Sequence, residues 1–137
     1  EYKIIPQIEV KEGNYHCLDM VLSALDQYDG MREKAIIISF DVAILEKIRN
    51  LDEDIEIWYL THEITEKVIR LATVNNYAIA FNCKKYDVEM LKKAQDKNIK
   101  LASCTRVRQS TNAVELISFV AGIFTFFRLC IRTKAPE

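Results

Sequence analysis

What the 137-residue chain has little of narrows the reading first. It contains three Gly and two Pro. A chain so poor in both is mostly regular structure with short connections, and no Gly-rich phosphate loop of the Rossmann or P-loop kind follows any of its apolar runs. Its four cysteines, Cys17, Cys83, Cys104 and Cys130, are widely spaced, with no Cys-x-x-Cys pair. That spacing argues against a zinc or redox site and for buried free thiols. The net charge is −1, so nothing draws the chain as a whole to nucleic acid or anionic lipid, and no nucleic-acid partner is expected. No signal-peptide pattern is read at Glu1. The most apolar run, Leu116 to Phe127, is stopped by Glu115 and Arg128. It is about twelve residues long where a membrane-spanning helix needs about twenty, so no transmembrane segment is expected.

Half of the residues are hydrophobic and 28% are charged, the balance of an ordinary globular protein. The length suits one domain over residues 1–137, able to bury roughly two-thirds of its unfolded surface. Along the chain, short β-branched runs alternate with segments of helical periodicity. The strand segments are Ile4–Lys11, Ala35–Phe40, Ile55–Leu60, Tyr77–Asn82, Ile99–Cys104 and Ala121–Thr125. The helical segments are His16–Tyr28, one opened by Asp41 as N-cap and carrying Ile44, Leu45, Ile48 and Leu51, then Ile64–Val74, Val88–Lys97 and Asn112–Val120. In the fourth, Val88, Leu91 and Ala94 should face inward. Strand starts near residues 35, 55, 77, 99 and 121 give a repeat of about twenty to twenty-two residues, which implies parallel strands joined by right-handed crossovers. The expected fold is α/β, a partial TIM-type (β/α) barrel of about six parallel strands and five helices. A complete eight-fold barrel takes at least about 200 residues. A strand order that reversed at a switch point would instead mark an open doubly wound sheet.

The first strand carries the candidate chemistry. Side chains alternate along a strand, so Glu9 and Lys11 share one face while Ile8 and Val10 take the other. A carboxylate and an ammonium together at the C-terminal end of a parallel strand are placed where such folds display reactive groups. The strand ends then follow in order: Ile8-Glu9-Val10-Lys11, Ile36-Ile37-Ile38-Ser39-Phe40-Asp41, Ile57-Trp58-Tyr59-Leu60-Thr61, Leu101-Ala102-Ser103-Cys104-Thr105, and Gly122-Ile123-Phe124-Thr125. This series resembles strands three to eight of the glycerophosphodiester phosphodiesterase family, a (β/α)8 barrel.

The resemblance implies metal-dependent hydrolysis of glycerophosphodiesters. It gives Glu9 a role in binding a divalent cation, calcium or magnesium, and gives Lys11 a catalytic contact with the substrate phosphate. The chemistry suits those residue types: a hard cation prefers carboxylate oxygens, and a lysine two residues on can neutralise developing phosphate charge. The sequence also departs from the pattern. The family's first two strands, with a His-Arg pair, further metal carboxylates and a second catalytic His in the following loop, have no counterpart here. His16 and His62 do not match those positions, Cys104 stands where the family has Trp, and Phe126-Phe127 follows the last strand. Turnover by this chain alone is therefore expected to be impaired or absent. Family members occur both in the cytoplasm and outside the membrane.

Each candidate has a plainer reading beside it. Glu9 and Lys11 could be a structural ion pair at a barrel mouth. His62 reads as an exposed loop histidine, although it follows a strand and could face the same mouth. Ser39 reads as a polar strand end, because no His or Asp is placed to activate it. Of Trp58 and Tyr59, one is expected in the core and the other at the mouth. Arg106, Arg108, Lys84 and Lys85 follow strand ends and read as solvated loop charges or phosphate contacts. The ligand implied is a glycerophosphodiester or a polyol-phosphate polymer. The competing function is a non-catalytic structural or interaction module, one that forms a homo-oligomer through open sheet edges or completes its barrel with a partner.

Overall fold

A computed structural model describes residues 5–82, 85–104 and 128–130. Six strands form one sheet: β1 (Gln7–Glu9), β2 (Ile36–Ser39), β3 (Glu56–Thr61), β4 (Ala78–Asn82), β5 (Leu101–Cys104) and β6 (Arg128–Cys130). Between the first five run a short 3-10 turn (Tyr15–Cys17) leading into α1 (Leu18–Leu25), then α2 (Val42–Leu51), α3 (Glu66–Asn75) and α4 (Val88–Asp96). The fifth helix expected at Asn112–Val120 and the strand expected at Ala121–Thr125 lie outside the described residues, as do Cys83, Lys84, Arg106 and Arg108. The strand at Arg128–Cys130 was not foreseen.

The helices begin where side chains can cap them. Asp41 Oδ1 accepts from the Ala43 amide at 2.9 Å, and Asp87 Oδ1 from the Glu89 amide at 2.7 Å. Thr65 Oγ1 accepts from the Val68 amide at 3.3 Å. Each bond satisfies an amide that has no partner within the first helical turn. α3 ends at Asn76, whose φ of 54° is left-handed, a conformation Asn tolerates better than most residues.

Every described strand pairing is parallel, in the order β5-β4-β3-β2-β1-β6. That is the cyclic order of a six-membered ring opened between β5 and β6. The burial pattern agrees with curling rather than double winding. One apolar cluster joins α1 to α4 with Ile8, Val10, Ile37, Ile57 and Ile79, all from one sheet face. The opposite face forms a second cluster made of strand residues alone: Ile36, Ile38, Trp58, Leu60, Ala78, Ala80 and Ala102. A doubly wound sheet carries helices on both faces. Here the described helices pack on one side and the other side packs on itself, as in a barrel.

Three details differ from the sequence reading. Val88 is 57% exposed, while Ala94 is fully buried and Met90 and Leu91 pack against the core. α4 meets the core from Met90 onward. β1 is three residues long, not eight, and begins after Pro6, whose missing N–H suits a strand start. Trp58 belongs to the inner cluster, while Tyr59 packs against the helical layer and does not line the mouth.

Candidate functional site

The inner face of β1 is polar where that of β2 beside it is apolar. Gln7 and Glu9 stand in register with Ile36 and Ile38 of β2, and both are buried, Glu9 to 1% exposure. A carboxylate at that depth needs partners, since desolvating a charge costs several kcal/mol. Lys11 supplies one: its Nζ donates to Glu9 Oε1. The Glu9 side chain is fully buried and that of Lys11 is 43% exposed. The pair thus has a buried base and a solvent-facing tip at the C-terminal end of β1. The sequence reading placed these two residues on one face, and the structure brings them into contact.

Ser39 fixes the end of β2 against the end of β1. It is fully buried. Its Oγ donates to the Val10 carbonyl at 2.7 Å and accepts from the Asp41 amide at 3.0 Å. The hydroxyl is thereby engaged in joining backbones, in keeping with its reading as a polar strand end. A second tie lies outside it. Tyr15 Oη donates to Asp41 Oδ2 at 2.5 Å, and Lys47 Nζ donates to the Tyr15 carbonyl at 3.2 Å. The hydrogen bond to Asp41 raises the Tyr15 hydroxyl above its ordinary pKa, with burial and the charges of Asp41 and Glu12 adding to it. The segment after β1 is therefore tied to the N-terminus of α2.

Two further groups sit at the same end of the sheet. Phe40 directly follows β2 and His62 directly follows β3. Their rings stack with centroids 5.2 Å apart at 29°. Phe40 is 48% exposed. The sequence reading had His62 as an exposed loop residue, which it is, and did not anticipate its stacking on Phe40. A large aromatic residue just past a strand end was the signal available. Lys85, 3.8 Å from Glu63, is a solvated loop charge. His16 lies in the 3-10 turn before α1.

Two cavities of about 280 Å³ bracket the sheet. One lies beside the end of β1 and is lined by Glu9, Val10, Lys11, Asn14, Cys17 and Met20 among others. The other lies at the strand starts, among Arg49, Tyr77, Asn98 and Lys100. Parallel-barrel chemistry is displayed at strand C-termini, so the first is the one next to the candidate residues. Cys17 is buried.

A resident divalent cation does not fit what is described. Calcium takes six to eight oxygens, and Glu9 gives one carboxylate already bonded to Lys11. Among the described residues no group of three or more His, Cys, Asp or Glu side chains could hold a metal ion. No helix among them is long and apolar enough to cross a membrane.

No protein-family model matches the chain, and no curated protein matches it in sequence. Among solved structures it is similar to the crystal structure of a candidate glycerophosphodiester phosphodiesterase from Galdieria sulphuraria, with a TM-score of 0.64 and 17% identity. That similarity covers 71% of this chain and 42% of the other, so the chain spans less than half of the protein it resembles. At this identity the likeness establishes architecture: the fold is a partial (β/α) barrel of the kind that glycerophosphodiester phosphodiesterase adopts.

Proposed function

We propose that this chain is a phosphodiester-binding domain of the glycerophosphodiester phosphodiesterase type, in which Lys11 contacts the phosphate and Glu9 holds Lys11 in place. One observation carries this reading. A buried carboxylate and a half-exposed ammonium are joined at the C-terminal end of a barrel strand, the end where such barrels bind ligands. An ammonium anchored at one side by Glu9 keeps donors free for phosphate oxygens. The fold shared with the Galdieria sulphuraria protein supports the choice of a glycerophosphodiester over other anions. A cation bridging Glu9 and the phosphate belongs to this reading only when further oxygen ligands are supplied, and no step is derived through it. Among the described residues no acid–base pair flanks Lys11 at hydrogen-bond distance, so binding is proposed here with hydrolysis weak or absent.

The test is glycerophosphocholine binding by calorimetry, with and without millimolar calcium, alongside an assay for released choline. Binding lost on Lys11→Met, with the fold intact by circular dichroism, is the expected result. Equal binding by Lys11→Met and the parent chain would remove Lys11 from the site. Calcium-dependent turnover abolished by Glu9→Gln would make the chain an enzyme.

The second reading, a module that pairs through its sheet edges, is favoured by one observation. β5 and β6 end the strand order, each paired on one side only among the described residues. Such edges present unpaired backbone groups. Light scattering behind size-exclusion chromatography tests it, and a clean monomer at high concentration would count against self-pairing.

A further inference from the structure

We infer that the stacked rings of Phe40 and His62 form a platform that seats the organic arm of the phosphodiester whose phosphate rests on Lys11, and that the platform selects by apolar area rather than by charge. The inference rests on the reading of Lys11 given above. Its geometry comes from the sheet. Glu9 is in register with Ile38, and the Val10 amide donates to the Ile38 carbonyl at 2.9 Å. Continuing the alternation by two residues on each strand brings Lys11 and Phe40 side by side at the mouth, on the face that holds Glu9 and Ile38. His62 continues Leu60 on the next strand in the same way, and its ring meets that of Phe40. Neighbouring strands lie about 5 Å apart, which places the rings within reach of a group carried one or two bonds from a phosphate on Lys11.

The relative position of the two parts is fixed. Ser39 Oγ bonds the Val10 carbonyl, and these are the residues immediately before Phe40 and Lys11. Tyr15 holds Asp41, the residue immediately after Phe40. A ring in this setting has little freedom to fold into the core. Phe40 remains 48% exposed, although the fold buries most of its other large apolar side chains.

Charge at the platform is balanced. Among the described residues the charges pair off: Glu9 with Lys11, Glu63 with Lys85 at 3.8 Å, and Asp41 with Lys47 through Tyr15, whose hydroxyl donates to Asp41 and whose carbonyl accepts from Lys47. Among the described residues these pairings leave no excess charge beside the rings to favour a cationic over a neutral arm. What the rings offer is area. Covering about half of the exposed face of a Phe is worth roughly a tenfold gain in affinity at 25 cal/mol per Å².

The experiment measures binding of three glycerol phosphodiesters to the whole chain by calorimetry: the choline ester, its isostere with a tert-butyl group in place of the trimethylammonium, and the methyl ester. The first two should bind alike and about tenfold tighter than the third. Phe40→Ala, a change at an exposed position, should collapse that preference to less than threefold, and His62→Ala should weaken it in the same direction. A preference unchanged in Phe40→Ala overturns the platform while leaving the reading of Lys11 standing. Choline bound well above its tert-butyl isostere overturns selection by area in favour of cation–π attraction. Failure of all three ligands to bind the parent chain removes the Lys11 reading, and the platform with it.

Discussion

Removing the hydroxyl of Ser39 should cost this domain more stability than any other single oxygen at the sheet end. The residue is fully buried, and Val10 is 5% exposed. In Ser39→Ala the Val10 carbonyl loses its 2.7 Å donor and the Asp41 amide loses its 3.0 Å acceptor. A buried group left unsatisfied costs about 1–3 kcal/mol, and loss of a hydrogen bond to a half-buried amide about 0.5–1.5 kcal/mol. The expected loss is therefore about 2–4 kcal/mol. For a domain of this size the urea slope is about 1–3 kcal/mol per molar, so the unfolding midpoint should fall by roughly 1–2 M with the slope unchanged. Ser39→Cys fills the same space with a weaker donor and should fall between. The hydroxyl also sets the distance between Lys11 and Phe40, so ligand affinity should drop in Ser39→Ala under conditions where the variant is fully folded. A loss below about 0.5 kcal/mol, the range of ordinary surface substitutions, would show that the hydroxyl does not join the two strand ends.

Other consequences are as direct. Asp52 Oδ2 accepts from Arg32 Nε at 2.6 Å, and its Oδ1 from the Asp54 and Ile55 amides at 2.9 and 3.0 Å. Burial pushes this carboxyl up, but the Arg32 bond and the two backbone amides outweigh it and hold the group below the ordinary carboxylate range. A lowered folded-state value means stability that is complete above the unfolded value of about 4 and lost as pH falls through the folded one. In acid titrations followed by circular dichroism, Asp52→Asn should cost about 1–2 kcal/mol at neutral pH and flatten the loss below about pH 4. Asn76, at φ 54°, should accept Gly with no loss or a gain of up to about 1 kcal/mol, whereas Asn76→Ala should lose about 1 kcal/mol in thermal melts. Lys11→Met alone leaves the buried Glu9 without this cation and should cost about 2–3 kcal/mol, while Glu9→Leu with Lys11→Met should recover that loss or exceed the parent in urea unfolding. A double variant as unstable as the single would assign the pair a structural role.

How much of this was legible in the sequence can be argued residue by residue. Ile36–Ile37–Ile38 reads as a strand because a parallel strand is covered on both faces and needs no polar alternation. Asp41 reads as a cap because it precedes a helical stripe of Ile44, Leu45 and Ile48, and those three are fully buried in the structure. The alternation in β1 put Glu9 with Lys11 on one face and Val10 on the other, as found, and the structure packs Val10 against the helices. Periodicity alone does not say where a helix first touches its sheet, so Val88 was placed inward and is exposed. It also does not choose a strand's neighbour. The pairing of β6 with β1 joins residues more than a hundred positions apart, and nothing local in either strand encodes it. The contact between Phe40 and His62 was hidden for the same reason, since it depends on the register of two strands joined by α2.

The two readings of the Glu9–Lys11 pair meet in the cost of burying it. Four strands, β2 to β5, supply the apolar side chains of the described inner cluster, yet β1 sets Gln7 and Glu9 into that same face, both buried. A leucine at position 9 would pack against Ile38 without any charge to desolvate, and replacing a buried ion pair by apolar residues is often neutral or stabilising by 1–4 kcal/mol. A pair serving stability alone is a poor solution at this position. Its geometry suits another task, because the carboxylate is wholly enclosed while the ammonium it holds reaches solvent. That asymmetry is what an oriented phosphate contact requires: the charge that fixes the donor is hidden, and the donor is presented. A local rule broken in an otherwise consistent sheet is expected where a site is, and the break falls at the end of the strand where barrels bind their ligands.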